Sequence, residues 1–121
     1  MRTFRDIVAW QKSVQLAKTI YTATAKMPAE ERFGLTSQIR RAAVSVPSNI
    51  AEGYGRESKR GFLRFLRTAR GSLYELQTQI HLARELELLA TNADLDSLVA
   101  ETDRVLQAFI RGLNNSKPRT P

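Results

Sequence analysis

Cysteine is absent from the 121 residues, which excludes a disulfide framework, a thiolate metal site and a cysteine nucleophile. Histidine is nearly absent, and His81 alone leaves little for zinc chemistry. No run approaches the roughly 20 apolar residues of a membrane span. The N-terminal "MRTFRDIVAWQ" carries Arg2, Arg5 and Asp6 where a secretory signal would be apolar. These absences lead us to expect a soluble, cytoplasmic protein with no membrane association and no metal or cofactor. Acids are scarce relative to bases, at 12 against 19, and the net charge of +7 suits an acidic partner.

What is present is apolar content of 42%, enough for one domain with one core. The positive charge is unevenly spread. Residues 1–35 carry six basic and three acidic groups, residues 36–72 eight and two, and residues 73–121 five and seven, so the middle third holds +6.

Four segments show helical periodicity and none shows sustained alternation. The first is expected from about Asp6 to Lys26, with Ile7, Trp10, Val14, Ala17 and Tyr21 at three- and four-residue steps. The second, about Leu35 to Gly53, aligns Leu35, Ile39, Ala42, Ala43, Val46 and Ile50. Pro47 falls inside it and predicts a kink, because the apolar stripe resumes in phase afterwards. Gly53 and Gly55 are expected to close this helix in left-handed conformation. The third starts at a Ser58 N-cap and runs to about Leu89, and the fourth runs from an Asp94 cap to about Leu113. Short links between amphipathic helices predict an all-α fold, an antiparallel up-down four-helix bundle over residues 1–113. Residues 114–121 are expected to form a disordered tail.

Residues 48–71 read "SNIAEGYGRESKRGFLRFLRTARG", with six basic side chains beside Glu52 and Glu57. On a wheel, Phe62, Phe65, Leu66, Ala69, Leu73, Leu76 and Ile80 form the core face. Arg56, Lys59, Arg60, Arg64, Arg67 and Arg70 fall in a neighbouring arc of about 140°. Two readings fit. The charges are a solvated face, paired with acids of the fourth helix such as Asp96, Glu101 and Asp103, or they are phosphate contacts spaced about one turn apart. Arginine suits bidentate phosphate contact better than lysine.

Tyr54 and Tyr74 flank the strip, either to stack on an unpaired base or to pack at a helix interface. Gly61 and Gly71 each cost roughly 1 kcal/mol against alanine in a helix. Close approach of another helix or subunit would account for them. Asn49 and Glu52 lie near the apolar side of the second helix and are expected to fix its end or tie two helices together. Catalysis has little to stand on, since nothing brings Ser45 or Ser48 to His81, and "EGYG" follows a helix rather than a strand.

Three stretches carry a resemblance: "WQK" at residues 10–12, "RFGLTSQIRRAAVSVPSNIAEGYGR" at 32–56 and "FLRFLRTARGSLYELQTQI" at 62–80. Over roughly residues 4–113 the chain resembles a bacterial four-helix-bundle family. That family includes proteins encoded by intervening sequences within 23S ribosomal RNA genes, and it is similar to the accessory variability proteins of diversity-generating retroelements. The resemblance implies an up-down bundle with Pro47 inside a helix, a barrel-like homopentamer, and no catalytic residues to carry over. In the retroelement relatives a basic surface binds nucleic acid and the assembly contacts a reverse transcriptase. Arg40, Arg41, Arg56, Lys59, Arg60, Arg64, Arg67 and Arg70 are the basic residues of the matching region. Gly61 departs from the family pattern, where many members carry an acid, and leaves the third helix expected to be less well capped.

The reading that follows is a non-enzymatic homo-oligomer binding RNA or DNA phosphates with little sequence preference. Its alternative is a structural adaptor that docks a protein partner, the basic strip being paired with acids across subunits.

Overall fold

The computed structural model describes residues 1–116. Among them are four α-helices and no strand: α1 Val8–Thr24, α2 Leu35–Tyr54, α3 Lys59–Glu85 and α4 Ala93–Asn114. Each helix packs on its neighbours in sequence, and α4 closes against α1. Ser45 on α2 meets Ser72 on α3, while Gly53 meets Phe62 and Phe65. That register belongs to helices running in opposite directions. Arg84 at the end of α3 likewise reaches Asp96 at the start of α4, and Phe62 stacks edge-on to Phe109.

The core is the convergence of the four apolar stripes. Leu16 and Ile20 of α1, Ile39, Val46 and Ile50 of α2, Leu66, Leu73 and Leu76 of α3, and Leu95 and Leu106 of α4 are fully buried. Each such side chain contributes roughly 1.5–3 kcal/mol by leaving water, which sets the order of stabilisation against chain entropy. Pro47 lies inside α2 with its ring buried, and it brings no N–H for the Ala43 carbonyl.

Several boundaries differ from the sequence expectation. Ahead of α1, residues Phe4–Asp6 form a 3-10 turn closed by a capping box between Thr3 and Asp6. The Asp6 carboxylate accepts from Arg2 N at 2.7 Å and Thr3 N at 3.2 Å, and these bonds hold its pKa below the ordinary aspartate value. Helix α4 is capped by Asn92 rather than Asp94, its side chain accepting from Leu95 N at 3.1 Å. Asn114 still belongs to α4, and residues 117–121 of the expected tail lie outside the described residues.

No described glycine has a positive φ, so the expected left-handed closure by Gly53 and Gly55 does not occur. Gly53 sits within α2 because a β-carbon there would stand 2.8 Å from Phe65 Cβ and 3.0 Å from Phe62 Cδ1. Its role is close packing. Gly61 answers to its own turn, since a β-carbon would meet Arg56 and Ser58 side chains at 3.2 Å. The Ser58 hydroxyl accepts from Gly61 N at 3.0 Å, so α3 is capped despite the lack of an acid in its first turn.

The left-handed residue is Glu87, at φ 59°. It ends α3 at Glu85 instead of Leu89, with Leu88 N donating back to Ala83 O at 2.8 Å in the manner of a Schellman turn. Glycine adopts this conformation without the Cβ clash. Glu87→Gly is therefore expected to stabilise the fold by about 1 kcal/mol, read as a higher thermal midpoint in calorimetry.

Candidate nucleic-acid interface

The eight basic residues separate into those engaged within the fold and those turned outward. Arg40 lies on the α1–α2 seam: its Nε donates to Thr24 Oγ1 at 2.9 Å and its Nη2 to Tyr21 O at 3.2 Å, with the guanidinium 4.5 Å from the Tyr21 ring centre. It ties two helices, bonding one hydroxyl and one carbonyl in the last turn of α1. Lys59 reaches Ser116 O at 2.6 Å, holding the end of α4 to the start of α3. Arg70 donates through Nε to the Tyr74 hydroxyl at 2.8 Å, one turn further on.

Arg60, Arg64 and Arg67 are exposed on α3, and Arg41 is exposed on α2. Arg56 is exposed in the α2–α3 link, with its guanidinium 4.5 Å from the centre of the Phe65 ring. Among the described residues, none of these five guanidinium groups has a carboxylate within 4.0 Å. The acids of the fourth helix that the sequence offered as partners are engaged elsewhere. Asp96 pairs with Arg84 at 2.8 Å, Glu101 pairs with Lys12 at 3.2 Å, and Asp103 accepts from Gln107 at 2.9 Å.

The remaining residues singled out in the sequence take structural places. Tyr54 is half-buried with its ring edge-on to Phe62, whereas Tyr74 is exposed beside Arg70. Asn49 donates to Ser45 O at 2.8 Å and to Ser45 Oγ at 3.0 Å within α2, and Ser45 in turn makes the inter-helix bond to Ser72 at 2.8 Å. Glu52 is exposed rather than buried, so it does not tie the helices from within. A β-carbon at Gly71 would meet nothing within 4 Å among the described residues, so none of them requires glycine there. His81 is exposed and stands 3.6 Å from Glu85, away from the serines it would need for acyl transfer chemistry to be argued. Among the described residues no group of three or more His, Cys, Asp or Glu is arranged to hold a metal, and no helix is long and apolar enough to cross a membrane.

Sequence reasoning missed a polar cleft on the α2–α3 seam, of about 380 Å³, lined by Gln38, Arg41, Ala42, Ser45, Glu75 and Gln79. Gln79 falls on the edge of the core stripe and reads as a surface glutamine until the helices are docked. A second groove, apolar and of about 490 Å³, runs between α1 and α2 along Val14, Ala17, Tyr21, Val44 and Pro47.

No curated protein matches the chain. Its fold is similar to the crystal structure of a protein of unknown function from the S23 ribosomal protein family of Bacteroides thetaiotaomicron. That protein is 24% identical, and the match covers 86% of this chain and 96% of that one with a TM-score of 0.75. A family model described as 23S rRNA-intervening sequence protein matches residues 5–111. With nearly the whole helical bundle inside that match, the chain belongs to the 23S rRNA-intervening sequence protein family.

Proposed function

We propose that the protein is a non-enzymatic, cytoplasmic nucleic-acid-binding bundle that grips phosphates through the outer face of α3, with little dependence on sequence. The observation that carries this reading is the set of exposed guanidinium groups at Arg60, Arg64 and Arg67 with no carboxylate partner among the described residues. Unpaired like charges on successive turns repel one another, and a polyanion relieves that repulsion while releasing its own counterions. Arg41 and Arg56 extend the same reading, and Arg40, Lys59 and Arg70 border it with hydrogen bonds already made inside the fold.

The test is a salt titration of binding to a labelled single-stranded RNA and to a DNA duplex, with mass followed by light scattering. The expected result is an affinity whose logarithm falls linearly with the logarithm of salt at constant mass. Absence of binding at low salt would remove the phosphate reading.

The apolar groove between α1 and α2 favours a second reading, an adaptor that assembles with copies of itself or docks another protein, such as a reverse transcriptase. Tyr21 and Val44, on its rim, are 46% and 42% exposed and adjoin Val14, Ala17 and Pro47 in one apolar patch. The homopentamer implied by the family resemblance is the assembly this reading expects. If acids of neighbouring subunits pair with the α3 strip, high salt dissociates the oligomer. A mass unchanged by salt would count against that pairing.

A further inference from the structure

We infer that the outer face of α3 takes single-stranded nucleic acid, with an unpaired base stacked on the Tyr74 ring while Arg60, Arg64 and Arg67 hold the phosphates. The inference rests on the phosphate-binding reading of α3 and names the form of nucleic acid bound there. At 100° per residue, Arg60, Arg64, Arg67, Gly71, Tyr74 and Thr78 fall within an arc of about 80°, and all six are exposed. One helix face therefore carries three guanidinium groups, then a position without a side chain, then an aromatic ring.

Tyr74 is 41% exposed, whereas Tyr54 is half-buried against Phe62. Its ring is held by a neighbour on the same helix. Arg70 Nε donates to the Tyr74 hydroxyl at 2.8 Å, and the Arg70 guanidinium stands 5.3 Å from the ring centre. A ring fixed before binding loses less conformational entropy when a ligand arrives, and every base offers it a π-face. The contact is tolerant of sequence, as phosphate contacts are. In a duplex each internal base is covered on both faces by its neighbours in the stack, so the ring selects unpaired bases.

Gly71 gives the strand room. Glycine weakens a helix relative to alanine, yet a β-carbon at Gly71 would meet nothing within 4 Å among the described residues. The missing side chain serves no packing inside the fold. On the outside it leaves a gap between Arg67 and Tyr74, which lie about 10 Å apart along the axis on the same face. A strand gripped at Arg67 passes close to the helix backbone there and reaches the ring.

Charge and composition decide the occupant. No acid occurs between Ser58 and Tyr74, and the three guanidinium groups have no carboxylate within 4.0 Å among the described residues. A protein helix packed on this face would need apolar side chains to bury, and the stripe from Arg60 to Thr78 offers only the Tyr74 ring. Phosphates joined to flat bases match both halves of the stripe.

The experiment measures fluorescence anisotropy of a short labelled oligouridine, the same sugar-phosphate chain without bases, and the duplex of the strand with its complement. Each is built on deoxyribose and on ribose, to tell DNA from RNA, and titrated at one fixed low salt concentration. With the sugar that the site prefers, the wild-type protein is expected to bind the strand about tenfold tighter than the baseless chain. In Tyr74→Ala that ratio should fall below about twofold, while the baseless chain and the duplex bind as before. Should the variant not fold, judged by circular dichroism, Gly71→Leu, which fills the gap at an exposed position, should lower the same ratio. Equal binding of the strand and the baseless chain by the wild-type protein would overturn the stacking contact and leave the phosphate reading standing. A ratio that survives Tyr74→Ala in a folded protein would place the base elsewhere and overturn it too. A loss shared equally by the duplex would do the same, since the ring would then act on the backbone or the fold. Failure of every form to bind would overturn the phosphate reading and the stacking contact with it.

Discussion

Replacing Arg60, Arg64 and Arg67 together with glutamate is expected to weaken single-stranded RNA binding by several hundredfold at 50 mM salt. The magnitude follows from counterion release. A slope of about −0.7 per neutralised phosphate gives each contact roughly one decade between 1 M and 50 mM salt, so three lost contacts remove nearly three. The slope itself should become shallower by about 2. All three side chains are exposed and make no ion pair among the described residues, so unfolding free energy should shift by no more than about 0.5 kcal/mol for each. Anisotropy titrations at several salt concentrations, beside a urea unfolding curve, read both quantities. Unchanged affinity in a folded triple variant would return the strip to solvent or to a neighbouring subunit.

The helical periods in the sequence were enough for the class of fold and for the core faces of α2 and α3, because Ile39, Val46, Leu66 and Leu73 sit where a 3.6-residue stripe places them. They were not enough for α1: the stripe read through Trp10, Val14, Ala17 and Tyr21 lies beside the buried face, which is Ala9, Ser13, Leu16 and Ile20, and Tyr21 is 46% exposed. Helix ends were less legible. Asn92 and Asp94 are both good capping types, and choosing between them depends on where the chain leaves the α3 turn. That turn is made by Glu87 in left-handed conformation, for which the sequence carries no glycine signal.

The strip on α3 was legible as a set of residues but not as a set of free charges. Whether Asp96 or Glu101 neutralises it depends on which helix faces which, and only the docked bundle gives them to Arg84 and Lys12. Arg40 shows the same limit from the other side. Its neighbours in sequence resemble those of Arg41, yet Arg40 turns its guanidinium to Thr24 while Arg41 is exposed. One step of 100° on a helix separates a seam from a surface.

Gly53→Ala is expected to destabilise the protein by about 1–2 kcal/mol, although alanine is the better helix former. The helix preference alone would stabilise α2 by roughly 1 kcal/mol. Against it stands the space: a β-carbon at Gly53 would lie 2.8 Å from Phe65 Cβ, 3.0 Å from Phe62 Cδ1 and 3.2 Å from Phe62 O. Two of those atoms belong to or adjoin the α3 backbone, so no side-chain rotation makes room and the helices must part. Overpacking of this kind costs about 1–3 kcal/mol, and the upper part of that range applies where backbone must move. Leucine at the same position should cost more than alanine. The same substitution at Gly71, where a β-carbon meets nothing within 4 Å, should instead stabilise by about 1 kcal/mol. Urea midpoints at constant m-value measure both. Opposite signs would establish that the α2–α3 approach is set at Gly53.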